Sequence, residues 1–307
     1  DFSIIPRIEY CTFDKNISRF VGGGAIYIPY IIKSDNDSLS IKKSGFINNY
    51  SGENGGAIVF KEIKGKYIID STDFFNNFCF GDGASIFQGL SIYVSGSLNI
   101  KNSNFENNLA NNSNLSIVRA NSKNIIDSTN LNIINCNFIN NVSDYGDGGA
   151  IYYNNFSGYT NLNIQKTNFE NNTALNDGGA IFIETETDFK LTIDQSKFIK
   201  NKSAESGTGA IFYQAGYGPK GYKDINNISI SNTLFARNSD AIAFNNGSYG
   251  TMPIDINNCT FFKNGKYIFG KSYNPLSDYI DNYAVMKIRN CAIWEPNSNI
   301  YYMFYNG

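Results

Sequence analysis

The chain carries short segments in which apolar and polar residues alternate, and these segments recur along most of its length. Two of them, LNIINCNF at 131–138 and LNIQKTNF at 162–169, begin by placing Leu and Ile at every second position. A period of two residues is typical of β-strands, and no segment shows the 3.6-residue period of an amphipathic helix. The pattern therefore predicts an all-β chain.

A Phe-x-x-Asn motif closes each alternating segment at a nearly constant spacing. A tenth, degraded copy has Ile293 in the Phe position, and the nine intervals from residue 13 to residue 293 cover 280 residues, or about 31 per repeat. A fixed period of this length is the sequence signature of a repeat architecture. The nine intact copies are Phe13/Asn16, Phe46/Asn49, Phe74/Asn77, Phe105/Asn108, Phe138/Asn141, Phe169/Asn172, Phe198/Asn201, Phe235/Asn238 and Phe261/Asn264.

A second short strand follows the motif, and in several repeats it begins with a Gly pair. The sequence GGAI occurs at 23–26, 55–58, 148–151 and 178–181, and TGAI occurs at 208–211. One repeat cannot bury its own apolar face, whereas stacked repeats share a continuous core. We therefore predict a single-stranded parallel β-helix (β-solenoid) of about ten coils that spans residues 1–307 as one domain.

Aligned repeats turn sequence positions into columns that run along the solenoid. We expect the Phe rings to stack, the Asn amides to bond from coil to coil, and the Gly pair to occupy a bend. The position two before each Phe should point inward at another bend, where only a small side chain fits. Every member of that column is Cys, Ser or Thr: Cys11, Ser44, Thr72, Ser103, Cys136, Thr167, Ser196, Thr233, Cys259 and Cys291.

Two insertions, near 214–227 and 270–284, interrupt the repeat. Gly, Pro, Asn and Tyr are frequent in both, and we interpret them as loops that leave the solenoid. Exposed Tyr on a loop suits contact with a protein or a glycan. The alternative is that the loops fold back and pack Tyr against the rod. The candidate partner-binding residues are Tyr217, Tyr222, Tyr273 and Tyr279.

Composition narrows the functional classes. Aromatic residues make up 15% of the chain and charged residues 17%, which argues against disorder. The net charge of −2 and the lack of a basic run argue against nucleic acid as a partner. No apolar stretch reaches the length of about 18 residues that a membrane span needs. The absence of His excludes His-based triads, His general bases and imidazole zinc sites.

The cysteines predict free thiols, which are buried at Cys259 and Cys291. Five cysteines cannot all pair within one chain. Cys259 and Cys291 occupy one column in consecutive coils, so their Cβ atoms should lie about 4.8 Å apart, beyond the roughly 3.5–4.5 Å of a disulfide. No Cys-x-x-Cys pair occurs, which disfavours a four-cysteine metal site.

Two carboxylates are the candidate metal ligands. Asp147 and Asp177 precede Gly-Gly in adjacent coils, so their side chains should lie within about 5 Å of each other. Like charges this close favour a raised pKa or a bound cation, and calcium prefers such oxygen ligands. The alternative is that each Asp caps its own turn and solvent screens the pair.

Catalysis is the contrasting hypothesis, because parallel β-helices also carry polysaccharide lyases and hydrolases. Such enzymes cluster carboxylates, or a basic residue beside Asp, on one exposed face. In this chain the acidic residues scatter across the coils and Arg occurs at only five positions. We therefore expect no catalytic residues, no enzyme activity and no resident cofactor apart from the calcium candidate.

The paired Phe-x-x-Asn and Gly-Gly-Ala-Ile motifs resemble the repeats of chlamydial polymorphic outer-membrane proteins. Adhesin-like surface proteins of methanogens share these repeats, and NSNFENN at 102–108 and TNFENNTALNDGGAIF at 167–182 look especially like them. The resemblance covers Phe13 to about Asn264. It implies a right-handed, pectate-lyase-like β-helix that is exposed on a cell surface and adhesive. Sequons, among them Asn111, Asn155, Asn171, Asn201 and Asn246, would make a secreted form a glycoprotein.

These observations predict an extracellular adhesin or display stalk, and we interpret the chain as part of a larger surface protein. The partner would be a protein or glycan on a host or partner cell, bound without chemistry. One alternative is a polysaccharide-degrading lyase or hydrolase. A second is a filament or sheath subunit that self-associates through its ends.

Overall fold

The structure is a computed structural model that describes residues 6–29, 38–61, 65–89, 96–111, 113–119, 129–155, 159–185, 187–203, 209–215, 226–246, 252–265, 269–271 and 284–294. These residues form 36 short strands and contain no helix. The strands belong to four sheets in which neighbouring strands run parallel and come from successive repeats. The predicted all-β parallel solenoid is confirmed. Most of both insertions, at 216–225 and 272–283, lies outside the described residues.

Each complete turn contributes one strand to each sheet, in the same order along the chain. The first sheet contains Arg7–Glu9, Ser38–Lys42, Gly65–Asp70, Gly96–Lys101, Thr129–Ile134, Thr160–Gln165, Phe189–Asp194, Asn226–Ser231, Met252–Asn257 and Ala284–Arg289. The second contains Thr12–Asp14, Gly45–Ile47, Asp73–Phe75, Asn104–Glu106, Asn137–Ile139, Asn168–Glu170, Lys197–Ile199, Leu234–Ala236, Thr260–Phe262 and Ala292–Trp294. The third contains Ile17–Ser18, Tyr50–Ser51, Phe78–Cys79, Leu109–Ala110, Val142–Ser143, Thr173–Ala174 and Lys202–Ser203. The fourth contains Ile26–Ile28, Ile58–Phe60, Ile86–Gly89, Leu115–Arg119, Ile151–Asn155, Ile181–Thr185, Ile211–Ala215, Ile242–Asn246 and Phe269–Lys271.

The sheets differ in length, and the shortest sets the number of complete turns. The described part of the third sheet has seven strands, so the solenoid has about seven turns that carry all four strands. The first and second sheets each continue to ten strands. These two sheets therefore reach both ends of the described rod.

The core follows from the alternation along each strand. In Thr160–Gln165 the side chains of Leu162 and Ile164 are completely buried, whereas the intervening Asn residues lie half-buried on the outer face. Parallel register sets Leu131 beside Leu162 and Ile133 beside Ile164. Identical apolar residues thus stack along the axis and form one continuous core.

The Phe column stacks as predicted. Neighbouring rings lie nearly parallel, with centroids 4.6 Å apart between Phe105 and Phe138 and 5.1 Å apart between Phe235 and Phe261. From Phe46 to Phe261 every ring in the column is at least 99% buried. Burial of each ring stabilises the fold by roughly 1.5–3 kcal/mol.

The Asn column forms the predicted amide ladder and also binds the backbone. The Nδ2 atom of Asn141 donates to Asn172 Oδ1 at 3.0 Å and to the Phe105 carbonyl oxygen at 2.9 Å. Its Oδ1 atom accepts from both Nδ2 and the backbone N–H of Asn108. The Asn side chains therefore satisfy buried backbone groups at the turn between the second and third sheets.

The Cys, Ser or Thr column lies at the bend between the first and second sheets. Thr167 Oγ1 donates to the Gln165 carbonyl oxygen at 2.9 Å, and Cys136 Sγ approaches the Ile134 carbonyl oxygen at 3.3 Å. Every member of the column makes this bond to the carbonyl two residues earlier. The position therefore needs a hydrogen-bond donor as well as a small side chain.

The third bend contains the Gly pair, and its two residues meet different requirements. Gly148 has a φ of 64°, in the left-handed region that favours glycine. A Cβ atom on Gly149 would overlap the carbonyl oxygens of Gly179 and Thr173. The first glycine thus supplies backbone conformation, and the second allows adjacent turns to approach closely.

All five cysteines are free, as predicted. Cys79, Cys136 and Cys259 are buried, and burial raises the pKa of the Cys79 thiol to about 12 and that of the Cys259 thiol to about 11. Cys291 is only half-buried, which corrects the expectation of full burial. No further strand of the second sheet covers it within the described residues.

Candidate functional site

Asp147 and Asp177 lie at the Gly-pair bends of consecutive turns, where the Asp147 side chain contacts the Asp177 backbone. Asp147 Oδ1 accepts the backbone N–H of Asp177 at 3.0 Å, and both residues are half-buried. Burial raises the pKa of the Asp147 carboxyl above its ordinary value, the hydrogen bond from Asp177 opposes this rise, and the Asp177 charge adds to it. The carboxylate therefore caps the next turn.

An uncharged residue performs the same capping in an earlier turn. Asn54 Oδ1 accepts the backbone N–H of Asp82 at 2.8 Å, and Asn54 precedes Gly55 as Asp147 precedes Gly148. The described residues contain no group of three or more Cys, Asp or Glu side chains arranged to hold a metal ion. Calcium binding by Asp147 and Asp177 stays a prediction.

A polar cluster occupies the outer face of the fourth sheet in turns five to seven. Asn154 Nδ2 donates to Glu184 Oε2 at 2.9 Å, and Gln214 Nε2 donates to Glu184 Oε1 at 3.3 Å. Burial raises the pKa of the neighbouring Tyr152 hydroxyl, the bond from Asn154 lowers it, and the charge of Glu184 raises it further. The side-chain amides of Asn154 and Gln214 thus hold the Glu184 carboxylate in place on the outer face of the sheet.

A partly exposed apolar surface runs along the third sheet, and we call it the apolar stripe. Its core is a single in-register column that faces outward through five consecutive turns, after which the column continues with Thr173 and Lys202. At strand spacing the column is about 19 Å long. The column residues of the stripe are Ile17, Tyr50, Phe78, Leu109 and Val142.

Aromatic rings make the centre of the stripe a preformed surface. Tyr50 and Phe78 stack with centroids 5.6 Å apart. Phe80 joins the stripe from the following bend and sets its edge against both rings, at centroid distances of 6.0 and 5.1 Å. Phe80 is 55% exposed, whereas Tyr50 and Phe78 are half-buried. Exposed apolar patches of this kind mark interaction sites on soluble proteins.

The stripe is visible in the sequence at a position that lies outside both the Phe-x-x-Asn motif and the Gly pair. Each column residue follows directly after a ladder Asn, and an isolated pair such as Asn49-Tyr50 is unremarkable. Alignment of the position after Asn reveals five apolar residues in consecutive repeats. Strand geometry explains the exposure, because Asn77 points inward and Phe78 beside it must point outward.

The four loop tyrosines predicted to bind a partner, Tyr217, Tyr222, Tyr273 and Tyr279, lie outside the described residues. The sequons divide by burial. Asn155 and Asn201 are completely buried, and Asn201 donates to Asn238 as a member of the amide ladder. Asn171 is exposed. In the part of the chain that the structure describes, no helix could cross a membrane.

Comparison with known proteins identifies the repeat. Residues 135–154 and 166–184 match the family model described as Chlamydia polymorphic membrane protein (Chlamydia_PMP) repeat. No curated protein and no solved structure matches the chain. Each matched segment runs from the bend before a second-sheet strand, through the Asn column and the Gly pair, into a fourth-sheet strand. Two turns of the solenoid therefore carry the repeat of this family, as the Phe-x-x-Asn and Gly-Gly-Ala-Ile motifs predicted.

Proposed function

We propose that this chain is an adhesin-like rod displayed on a cell surface, and that it binds a protein or glycan of a host or partner cell. The observation that carries the proposal is the apolar stripe, whose outward-facing aromatic rings, exposed at Phe80 and half-buried at Tyr50 and Phe78, lie outside the solenoid core. Preordered Tyr and Phe rings provide contact area at little further loss of conformational entropy. The match to a membrane-protein repeat supports an extracellular, surface location.

Binding at the stripe needs no chemistry. Tyr50, Phe78 and Phe80 offer ring faces and edges, and aromatic residues are enriched at protein interfaces. We accordingly propose contact without catalysis and without a cofactor. Release of sugars from a panel of polysaccharides incubated with the pure chain would contradict this part of the proposal and favour the lyase or hydrolase alternative.

Three finer features belong to the same proposal. The ten strands of the first and second sheets support a rod of about ten coils, and the repeat match supports right-handed winding like that of pectate lyases. Exposed Asn171 is the sequon best suited to carry a glycan, since glycosylation of Asn155 or Asn201 would disrupt buried hydrogen bonds.

The stripe is tested by the triple variant Tyr50→Ser, Phe78→Ser and Phe80→Ser. We expect it to bind cultured epithelial cells and a printed glycan array at least about tenfold more weakly than the unmodified chain, with a similar melting temperature. The matched control is Phe75→Ser, because Phe75 is 37% exposed but lies on the second sheet. The control should bind normally.

Loop variants separate the stripe from the predicted tyrosine sites. Replacing 216–223 and 272–283 by short turns removes Tyr217, Tyr222, Tyr273 and Tyr279. If these replacements abolish binding while the stripe variant retains it, the loops rather than the stripe make the contact. If neither change weakens binding, both proposed contact surfaces are wrong.

A further inference from the structure

The apolar stripe lies on a face of the rod that contains acidic residues and no basic ones. In each of turns two to six, the segment from the Cys, Ser or Thr column through the third bend lacks Lys and Arg. The five segments, which we call the acidic face, contain 64 residues, of which eight are Asp or Glu. Lys and Arg make up 25 of the 307 residues of the chain, so about five of them would be expected here from composition. The segments are 44–56, 72–84, 103–113, 136–149 and 167–179.

In-register pairing makes these segments one continuous surface. The second-sheet strands pair with their neighbours from Gly45–Ile47 to Asn168–Glu170. The third-sheet strands do the same from Tyr50–Ser51 to Thr173–Ala174. Acidic residues that are distant in the sequence therefore lie on one side of the rod.

Acidic side chains lie on both sides of the stripe. Glu106 and Glu170 face outward on the second sheet, where each follows an inward-facing Phe of the buried column. Glu53 and Asp144 are exposed at the third bend. Each of the four is two or three residues from the outward residue of the third sheet in its turn. The stripe is therefore bordered by negative charge.

Basic residues reappear at both ends of this face. Turn one contains Lys15 and Arg19, and turn seven contains Lys197, Lys200 and Lys202, all of them exposed. Lys202 occupies the column of the stripe itself. The surface that lacks basic residues therefore covers the stripe in turns two to five and extends through one further turn.

We propose that the partner bound by the apolar stripe is a basic amphipathic α-helix of another protein, an inference that rests on the function proposed above. The apolar face of such a helix would cover Tyr50, Phe78 and Phe80, and its flanking Lys and Arg residues would face the acidic side chains. Complementary charge speeds association and rejects wrong partners. Nucleic acids and anionic lipids would be repelled, and a neutral glycan would gain no attraction from the carboxylates.

The dimensions of the stripe suit a helix. A helix rises about 1.5 Å per residue, so a column of about 19 Å is covered by about 13 residues. Apolar residues on one helix face recur about every 5.4 Å along the axis, which is close to the spacing of about 4.8 Å between turns. On one face of an extended strand they recur about every 6.8 Å, so a strand laid along the stripe would fall out of step sooner.

Synthetic peptides of about 14 residues, a helix long enough to cover the stripe, test the partner class. The first peptide has Leu along one helical face and Lys elsewhere, and the second has Glu in place of Lys. The third is the first with Pro at its centre, which breaks the helix. We expect the full chain to bind the first peptide at least about tenfold more tightly than either of the others in fluorescence anisotropy titrations. Equal binding of the Glu peptide would overturn the cationic partner, and equal binding of the Pro peptide would overturn the helix.

Charge variants of the chain locate the attraction. One variant combines Glu53→Gln, Asp144→Asn and Glu170→Gln, which removes three charges beside the stripe and preserves side-chain size. We expect it to bind the Leu–Lys peptide at least about fivefold more weakly at low salt, with a smaller dependence on salt concentration.

The matched control combines Glu9→Gln, Asp70→Asn and Asp194→Asn, which removes the same charge from the first sheet. The control should bind the peptide normally. Equal weakening in both variants would overturn the proposal, because the attraction would then come from the whole chain rather than from the acidic face.

The variant Tyr50→Ser, Phe78→Ser and Phe80→Ser separates this inference from the proposed function. It retains every acidic residue, and we expect it to bind the Leu–Lys peptide at least about tenfold more weakly. Normal binding of the peptide by this variant would overturn the proposal, because the helix would not lie on the stripe. If the variant loses binding to cells but the unmodified chain does not bind the peptide, adhesion through the stripe stands and the basic helix is wrong.

Discussion

At the scale of single residues, the Asn column holds neighbouring turns together more tightly than a ladder of amides alone. Asn141 makes two bonds through Nδ2 and accepts two through Oδ1. These bonds use both donors and both lone pairs of the side-chain amide, and the residue is completely buried. Loss of such a residue leaves several buried polar groups without a partner.

We therefore predict that Asn141→Ala lowers the free energy of unfolding by about 3 kcal/mol, because buried donors on Asn108 lose their acceptor. The matched control is Asn137→Ala, since Asn137 donates to Asn104 in a ladder on the exposed face. The control should change the free energy by about 0.5 kcal/mol or less. Chemical denaturation of the three proteins measures both values, and equal effects would contradict the role assigned to the buried ladder.

Asp147 is a charged residue at a position before the Gly pair that requires only a hydrogen-bond acceptor. Its folded-state pKa is raised, so the folded chain binds more protons than the unfolded chain at pH values between the ordinary and the raised pKa. The contribution of this carboxyl to stability is accordingly greatest at low pH and falls as the pH rises through that window. Asn54 fills the equivalent position without this dependence.

We predict that Asp147→Asn raises the melting temperature slightly at neutral pH and has no effect near pH 3, where Asp147 is protonated in both states. Thermal denaturation in buffers containing a chelator measures the difference. Calcium is tested in the same experiment. If millimolar calcium stabilises the unmodified chain but not the variant, Asp147 is a metal ligand; a variant less stable than the unmodified chain with chelator present would contradict the capping role.

At the scale of the structural elements, three bends fix the cross-section of each turn. The first two bends place non-glycine residues, chiefly Asn, Lys and Ser, in the left-handed backbone conformation. Asn135 and Asn140, for example, have φ values of 55°. The third uses Gly148 in that region and then Gly149, where another backbone approaches. The bends, rather than the short strands between them, therefore set the strictest steric limits.

Gly149→Ala should destabilise the solenoid by about 3 kcal/mol, because the new methyl group would push the turn containing Gly179 away. Gly45→Ala is the control, since a Cβ atom at that position would have Ile47 Cδ1 as its nearest neighbour, at 3.7 Å. Chemical denaturation compares the two variants. An effect at Gly45 as large as at Gly149 would contradict the importance of close approach at the third bend.

The repeat columns were predictable because each depends on neighbours of the same type. Phe138 packs on Phe105 and Phe169, and Asn141 bonds to Asn108 and Asn172, so alignment of the repeats was sufficient. The donor role of the Cys, Ser or Thr column was missed because the three residue types share small size as well as a donor group. Their hydrogen bonds to a carbonyl two residues earlier became evident only in the bend.

The candidate sites were less predictable than the fold. The apolar stripe consists of the residues that face outward after each ladder Asn. Its column contains residues as different as Ile17, Tyr50 and Val142, so no shared residue type marks the column in the sequence. The polar cluster around Glu184 depends on alternate positions of the fourth-sheet strands, which differ from turn to turn. The candidate sites lie where the repeat varies, so the regularity that predicts the fold says little about them.

At the scale of the whole molecule, side chains that point inward and side chains that point outward have different roles. Inward columns hold the turns together, and the apolar stripe faces outward along one side. A repeat architecture suits this separation because each turn contacts only its neighbours, so an outward residue can change without loss of the core. We propose that the inward columns give the rod rigidity and that the stripe gives adhesion.

Single-molecule force spectroscopy tests both halves of that claim in one measurement. The chain is tethered at one end to a probe, touched to a cultured epithelial cell and withdrawn. We predict frequent attachment by the unmodified chain, rare attachment by the variant that replaces Tyr50, Phe78 and Phe80 with Ser, and the same unfolding force for both rods. Attachment by the variant as frequent as that of the unmodified chain would contradict the claim.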